Sequence, residues 1–304
     1  MKLTKYYLAA FSAFFIWGFF CLALKPIADF PSLDILFYRV FFSVLFLTLL
    51  NVVFRKRVIL ENWAVYKNFN PKQKRTIIVL TCGGSMILAS NWFLFIYVVN
   101  HISVKAGSLA YLICPILTTV FAFIMLKESL SRTQWSAVLL SILSCLLLMF
   151  NNWHDVLYSL VVASTYAFYL VSQRKNHQID KLLVLNVQLL FISLLIAPFY
   201  PSFSGPLPTS ILFYACLLVI VVVFTIVPLF LNLYALKGIP SAAVGILMYI
   251  NPIINFALAL FYFNEKVTVI PLISYGLILI SIVIFNKKVI FEMLRKSKEK
   301  RLVV

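Results

Sequence analysis

The sequence predicts an all-α integral membrane protein, with ten transmembrane helices arranged as two inverted five-helix repeats. Three observations lead there: a composition too apolar for water, ten apolar runs separated by basic connectors, and a self-similarity at a shift of 137 residues. Of the 304 residues, 63% are hydrophobic and 12% charged, and the mean hydropathy is +1.02. A water-soluble domain carries about 45–50% apolar and about 25% charged residues. This chain has too little polar material to coat a globule. A soluble enzyme, a disordered chain, a collagen and a disulfide scaffold are excluded.

A bilayer core about 30 Å thick takes about 20 apolar residues per helix. The runs of that kind are 6–24, 33–53, 77–98, 106–126, 134–151, 156–173, 182–200, 209–235, 241–262 and 269–286. The first is too long for a signal-peptide core and lacks a small-residue cleavage site, so it reads as a retained helix. An even number of crossings puts both termini on one side. Of the 26 Lys and Arg residues, 22 fall on that side. They are Lys2 and Lys5, seven in 54–76, Lys127 and Arg132, three in 174–181, Lys237, and seven in the tail. The opposite side carries Lys25, Lys105 and Lys266, and Arg39 lies within the second run. This asymmetry is the positive-inside signal, so both termini are expected in the cytoplasm and the protein in the cytoplasmic (inner) membrane. A net charge of +17 in a soluble protein would suggest nucleic acid. Confined to short connectors it signals orientation instead, so the lipid bilayer is the expected partner and nucleic acid is not. The basic tail, 287–304, is expected to rest on anionic headgroups.

Cys21, Cys82, Cys114, Cys145 and Cys216 stand alone inside apolar runs and read as small packing residues. His101, His154 and His177 all fall in connectors. No HExxH, nucleophile motif or Gly-rich phosphate loop occurs. The sequence therefore predicts no enzyme, no metal site and no cofactor.

Shifting the chain by 137 residues lays Tyr97 on Tyr234, Ala106 on Ala243, Ile113 on Ile250, Pro115 on Pro252 and Glu128 on Glu265, without a gap. Each half, 1–151 and 152–286, then has five spans. An odd number inserts the second half upside down. Inverted repeats are a common plan among secondary transporters, with substrate held near the midplane between them. Two such halves give inward-open and outward-open states of similar energy, which a small differential interaction can switch.

The chain resembles the EamA-type permeases of the drug/metabolite transporter superfamily, and within them the RarD group. The likeness rests on Trp17-Gly18, on Asp34 to Arg39 followed by Ser43, and on Asn91-Trp92 with Tyr97 to Asn100. It continues through Ser108 to Tyr111 before Pro115, Ser164 to Tyr169 with Arg174-Lys175, and Thr225 with Pro228-Leu229. Pro240-Ser241, Gly245, Tyr249-Ile250 and Pro252 complete it. The resemblance implies ten helices in two inverted repeats, cytoplasmic termini, and a central cavity lined by helices 1–4 and 6–9. It implies transport of a small polar or amphipathic metabolite, such as an amino acid or related organic compound, in the outward direction. Three departures stand out: Tyr38 replaces a usual His, Cys114 a common Asn, and Asn186 and Gln188 sit where a Glu is frequent. The missing His and Glu remove two groups that could carry a proton.

Candidate cavity residues follow. Arg39 lies about six residues, or about 9 Å, from the outer end of its helix. An intramembrane charge costs about 2.5–3.5 kcal/mol on insertion scales and usually faces a bundle interior. Its guanidinium suits a carboxylate or phosphate; alternatively it snorkels outward or pairs with Asp34 or Asp29. Pro115 and Pro252 each free the carbonyl four residues back, on Tyr111 and Met248, and such carbonyls need protein or cavity water. Pro228 is a weaker third case. Asn91, Asn232, Asn251 and Asn255 either cross-link helices or face the cavity; Asn251, beside Pro252, is expected in the cavity. Among the aromatics, Tyr38 and Trp92 are candidates for the wall, and Trp17, Tyr111 and Tyr249 are expected there because they lie on spans the family uses. Glu128 and Glu265 read as interfacial caps or ion pairs. Two other functions stay open: a non-transporting structural membrane subunit and a membrane-embedded enzyme. A homodimer is compatible with the sequence.

Overall fold

A computed structural model describes residues 2–27, 29–102, 104–149, 153–203, 205, 207–262 and 269–301. Among the described residues the structure is helical, with no strand. The helices are α1 (Lys2–Gly18), α2 (Ser32–Leu49), α3 (Lys56–Lys67), α4 (Pro71–His101), α5 (Val104–Leu126), α6 (Arg132–Met149) and α7 (Trp153–Lys175). They continue as α8 (Lys181–Ile196), α9 (Ile211–Val221), α10 (Val227–Gly238), α11 (Ser241–Leu247), α12 (Ile250–Phe261) and α13 (Val269–Arg301). Four stretches among the described residues are each long and apolar enough to cross a bilayer: Leu33–Phe54, Pro71–Phe95, Lys181–Phe199 and Ile211–Gly238. The other six apolar runs are helical as well over their described residues, some of them interrupted. Helix α1 breaks at Phe19 before a short turn, Phe20–Leu24. The run 241–262 breaks at Met248 and Tyr249, between α11 and α12.

Local chemistry sets the ends. Asn70 and Gln73 form a capping box at the start of α4, with Pro71 at its first position. Ser131 and Gln134 do the same for α6. Asp180 caps α8 by accepting from the amides of Leu182 and Leu183. Helix α3 has no apolar run to bury and none of its residues is buried.

In lipid no hydrophobic force drives helix onto helix, so contact geometry and polar cross-links decide the packing. Gly84 on α4 lets the Gln173 side chain of α7 lie against its backbone. That amide donates to the Leu80 carbonyl at 2.8 Å. Gly245 on α11 brings Thr118 of α5 so close that a Cβ added there would sit 2.8 Å from the threonine Cβ. The packing partners form matched sets. Helix α2 lies on α8, α5 on α11, and α6 on α13. Helix α1 lies on α10 as α4 lies on α7, and α9 lies on α2 as α4 lies on α8. The α6–α13 seam is tied by Ser141 to Ser281 at 2.9 Å and by Ser144 to the Ser274 carbonyl at 2.7 Å.

Candidate functional site

The centre of the site is built by a proline. Pro228 has no N–H, so the carbonyl four residues earlier, on Phe224, loses its helical donor. The chain here passes through a π-helical turn, Val222–Ile226, in which the Val227 amide reaches back to Val222. Such turns are frequent at functional sites. The Phe224 carbonyl accepts instead from Trp17 Nε1 at 2.9 Å and from Arg39 Nη2 at 3.4 Å. Thr225 donates its hydroxyl to the Ile220 carbonyl at 2.9 Å, which leaves its oxygen to accept from Arg39 Nε at 2.6 Å.

The guanidinium is thus fixed from one side by backbone and hydroxyl dipoles. Its carbon lies 5.4 Å from the Phe20 ring centre and 5.1 Å from that of Trp92, both within cation–π range. Among the described residues it makes no ion pair. The Asp34 carboxylate, a partner the sequence allowed, instead accepts the Gly205 amide at 3.0 and 3.1 Å. Tyr111 lies within electrostatic reach of Arg39 and keeps 37% of its surface open. Arg39 is seven residues into α2, about 10 Å from that end.

Beside this group runs a cleft lined by Asn91, Phe95, Ala110, Tyr111, Cys114, Val162, Ala163 and Tyr166. Asn91 holds one wall, donating to the Val162 carbonyl and to Thr165 Oγ1, both at 2.9 Å. Asn232 of α10 donates to the Tyr166 hydroxyl at 3.2 Å. The cleft volume is about 10 Å³, about the space of one water. In this conformation it is nearly closed.

At the end bearing the basic connectors, α5 stops at Lys127, whose φ of 53° lies in the left-handed region. For a non-glycine residue that costs about 1–2 kcal/mol. The turn aims Glu128 at the start of α11. One carboxylate oxygen accepts the Ser241 amide at 2.9 Å and the other the Ala242 amide at 3.2 Å. Arg174 Nε stands 4.0 Å away, and that side chain also donates to the Leu236 carbonyl. The α5–α11 contact is therefore capped across some 110 residues of sequence by one carboxylate.

The structure thus gathers Trp17, Arg39, Asn91 and Tyr111 around one centre. It places the other candidates elsewhere. Tyr38 turns away from its neighbour Arg39, into an aromatic cluster with Tyr200, Phe213 and Tyr214, and shares a 3.0 Å hydrogen bond with the Tyr200 hydroxyl. Tyr249 is fully buried, its hydroxyl against Ser141 and Cys145 of α6. Pro115, Asn251 and Pro252 are buried. The Met248 carbonyl freed by Pro252 is taken by the Asn251 amide at 3.1 Å. Asn186 accepts from Thr48 at 3.1 Å, and Gln188 from Tyr169 at 3.1 Å. The side chain of Asn255, and Glu265 altogether, lie outside the described residues. Sequence reasoning missed Phe224 as the anchor of the site; the signal was Pro228, four residues downstream.

The profile of the EamA-like transporter family matches residues 4–150 and 154–287. The chain belongs to this family. It is 28% identical to the RarD protein of Escherichia coli (strain K12) over 298 residues, covering 96% of this chain and 97% of the other. An uncharacterized transporter of Bacillus subtilis (strain 168), YojE, is 28% identical over 90% of this chain and 91% of its own. The uncharacterized transporter PA0485 of Pseudomonas aeruginosa is 27% identical over 94% of each chain. A solved crystal structure superposes with a TM-score of 0.70 at 17% identity, over 93% of this chain and 97% of that one. At that identity the superposition speaks for the fold alone. The protein is an EamA-type membrane transporter similar to the RarD proteins.

Proposed function

We propose that this permease is a secondary transporter that exports a small polar or amphipathic metabolite bearing a carboxylate, such as an amino acid or related organic compound, by alternating access. The observation that carries the reading is Arg39. It is an intramembrane cation, held by a carbonyl, a hydroxyl and two aromatic faces, with no carboxylate partner among the described residues. Such a group is costly unless an anion meets it, and a guanidinium binds carboxylates in two-point geometry. Trp17 and Trp92 would flank the bound molecule, with Tyr111 and Asn91 on the opposite wall. The outward direction comes from the family resemblance.

The proposed architecture is ten transmembrane helices in two inverted repeats, 1–151 and 152–286, with a basic tail, 287–304. Both termini are cytoplasmic and the membrane is the inner one. Matched helix pairings and two family-profile segments that divide near residue 152 support the repeats. The basic connectors support the orientation. On this reading the Glu128 cap closes the cytoplasmic side, and it releases when α5 and α11 move apart.

The test is reconstitution in liposomes, with a panel of amino acids and organic acids assayed for transport in both directions. Transport of a carboxylate-bearing compound that Arg39→Gln abolishes supports the reading. Failure of every compound to move, or transport indifferent to Arg39, refutes it. The narrowness of the cleft favours a second reading, a structural membrane subunit. That reading predicts that cysteines introduced along α5 and α11 stay closed to aqueous reagents.

A further inference from the structure

A second groove on this protein lies apart from the Arg39 centre. It has a volume of about 330 Å³ and is lined by Lys5, Leu8, Ala9, Ser12, Phe230, Leu231 and Tyr234. It runs between α1 and α10. The apolar side chains that flank it on the same faces, Leu8, Phe11 and Phe15 on one side and Val219, Val223 and Val227 on the other, are exposed. The groove therefore opens towards the acyl chains of the bilayer, not towards the cleft. From Lys5 to Ser12 it extends about 10 Å along the helix.

Apart from the Ser12 hydroxyl, its walls are apolar except at one end. There the Lys5 ammonium stands over the Tyr6 ring at 5.1 Å and the Tyr234 ring at 5.9 Å, beside the Tyr234 hydroxyl. The Tyr6 and Tyr234 rings pack against each other, 5.0 Å apart and tilted by 39°, and together form the platform under the ammonium. Lys5 is exposed and makes no ion pair among the described residues. An unpaired cation with a neighbouring hydroxyl, at the membrane edge and at the head of an apolar channel, matches one class of molecule: a lipid with an anionic head and an acyl chain.

We infer that the groove between α1 and α10 is a site for one anionic phospholipid, its phosphate on Lys5 and Tyr234 and an acyl chain along Leu8, Ala9, Ser12 and Phe230. The chain leaves one apolar environment for another, so its burial gives little selectivity. Head-group charge supplies it. One lysine near an anionic lipid surface is worth about 1 kcal/mol, or about fivefold.

The experiment is native mass spectrometry of the full chain with phosphatidylglycerol or phosphatidylcholine of identical acyl chains. The expected result is one retained lipid and about a fivefold preference for phosphatidylglycerol. Lys5→Gln should bring the two lipids to parity, and Lys5→Arg should keep the preference. Ser12→Leu, at a half-buried position of the groove wall, fills the groove and should lose the retained lipid of either kind; helix content and elution volume check that it folds. Equal retention of the two lipids by the unaltered protein overturns the inference, because the groove then holds only bulk bilayer. A preference that survives Lys5→Gln overturns it as well.

Discussion

Replacing Glu128 by alanine isolates the cap that joins α5 to α11. The carboxylate accepts two amide hydrogen bonds, from Ser241 at 2.9 Å and Ala242 at 3.2 Å. A hydrogen bond to a charged group contributes about 1.5–3 kcal/mol when buried. Here the side chain retains 15% exposure, so water can take over part of that role once the carboxylate is gone. Loss of a helix cap costs about 0.5–2 kcal/mol, and a net loss of about 1–2 kcal/mol is expected. That corresponds to amide exchange about 5–30-fold faster at Ser241 and Ala242. Hydrogen–deuterium exchange on protein in nanodiscs measures it. The next two amides, Ala243 and Val244, donate to the Pro240 carbonyl at 3.1 and 3.2 Å and provide an internal control. Glu128→Gln keeps one acceptor oxygen and should show about half the free-energy effect, about 0.5–1 kcal/mol. Unchanged exchange at Ser241 and Ala242 in Glu128→Ala would refute the reasoning. So would an equal increase at Ala243 and Val244, which would indicate general loosening and not a lost cap.

Four further outcomes are expected. Gly84→Ala should lower thermal stability by about 1–3 kcal/mol, because the new Cβ meets the fixed Gln173 amide; Gly83→Ala, which meets nothing within 4 Å, should be neutral or stabilising by up to about 1 kcal/mol. Gly245→Ala should cost a similar 1–3 kcal/mol, roughly, by pressing on Thr118, while Gly276→Ala, with open space around it, should melt like the parent. Trp17→Phe removes the 2.9 Å donor to Phe224 and should destabilise by about 1 kcal/mol, with a shift in tryptophan fluorescence to report the lost site. Arg39→Gln should abolish transport of carboxylate-bearing compounds and leave melting nearly unchanged. The two lost hydrogen bonds, one of them long at 3.4 Å, and the two cation–π contacts, about 2–5 kcal/mol together, are largely offset by relief of the roughly 2.5–3.5 kcal/mol insertion cost. A collapse of the fold in Arg39→Gln would make the residue structural.

What could be read in the sequence was what the bilayer imposes on each residue separately. Lipid demands apolar side chains and internally bonded backbone. The ten runs, the basic connectors and the intramembrane anomalies Arg39, Pro115 and Pro252 are therefore visible one position at a time. Recurrence at a fixed shift, from Pro115 to Pro252 and from Glu128 to Glu265, is visible by the same means. Tertiary structure alone decided who meets whom. Tyr38 and Arg39 are neighbours in sequence, yet one side chain joins an aromatic cluster and the other the central site. Arg39 is held by Phe224 and Thr225, 185 and 186 residues away, and Glu128 caps an amide 113 residues away. Tyr249, expected in the cavity, is buried against α6. Inside a membrane, apolar burial does not choose between neighbouring helices. The choice falls to close approaches at glycines and to single hydrogen bonds between distant helices, and neither leaves a periodic trace in the chain.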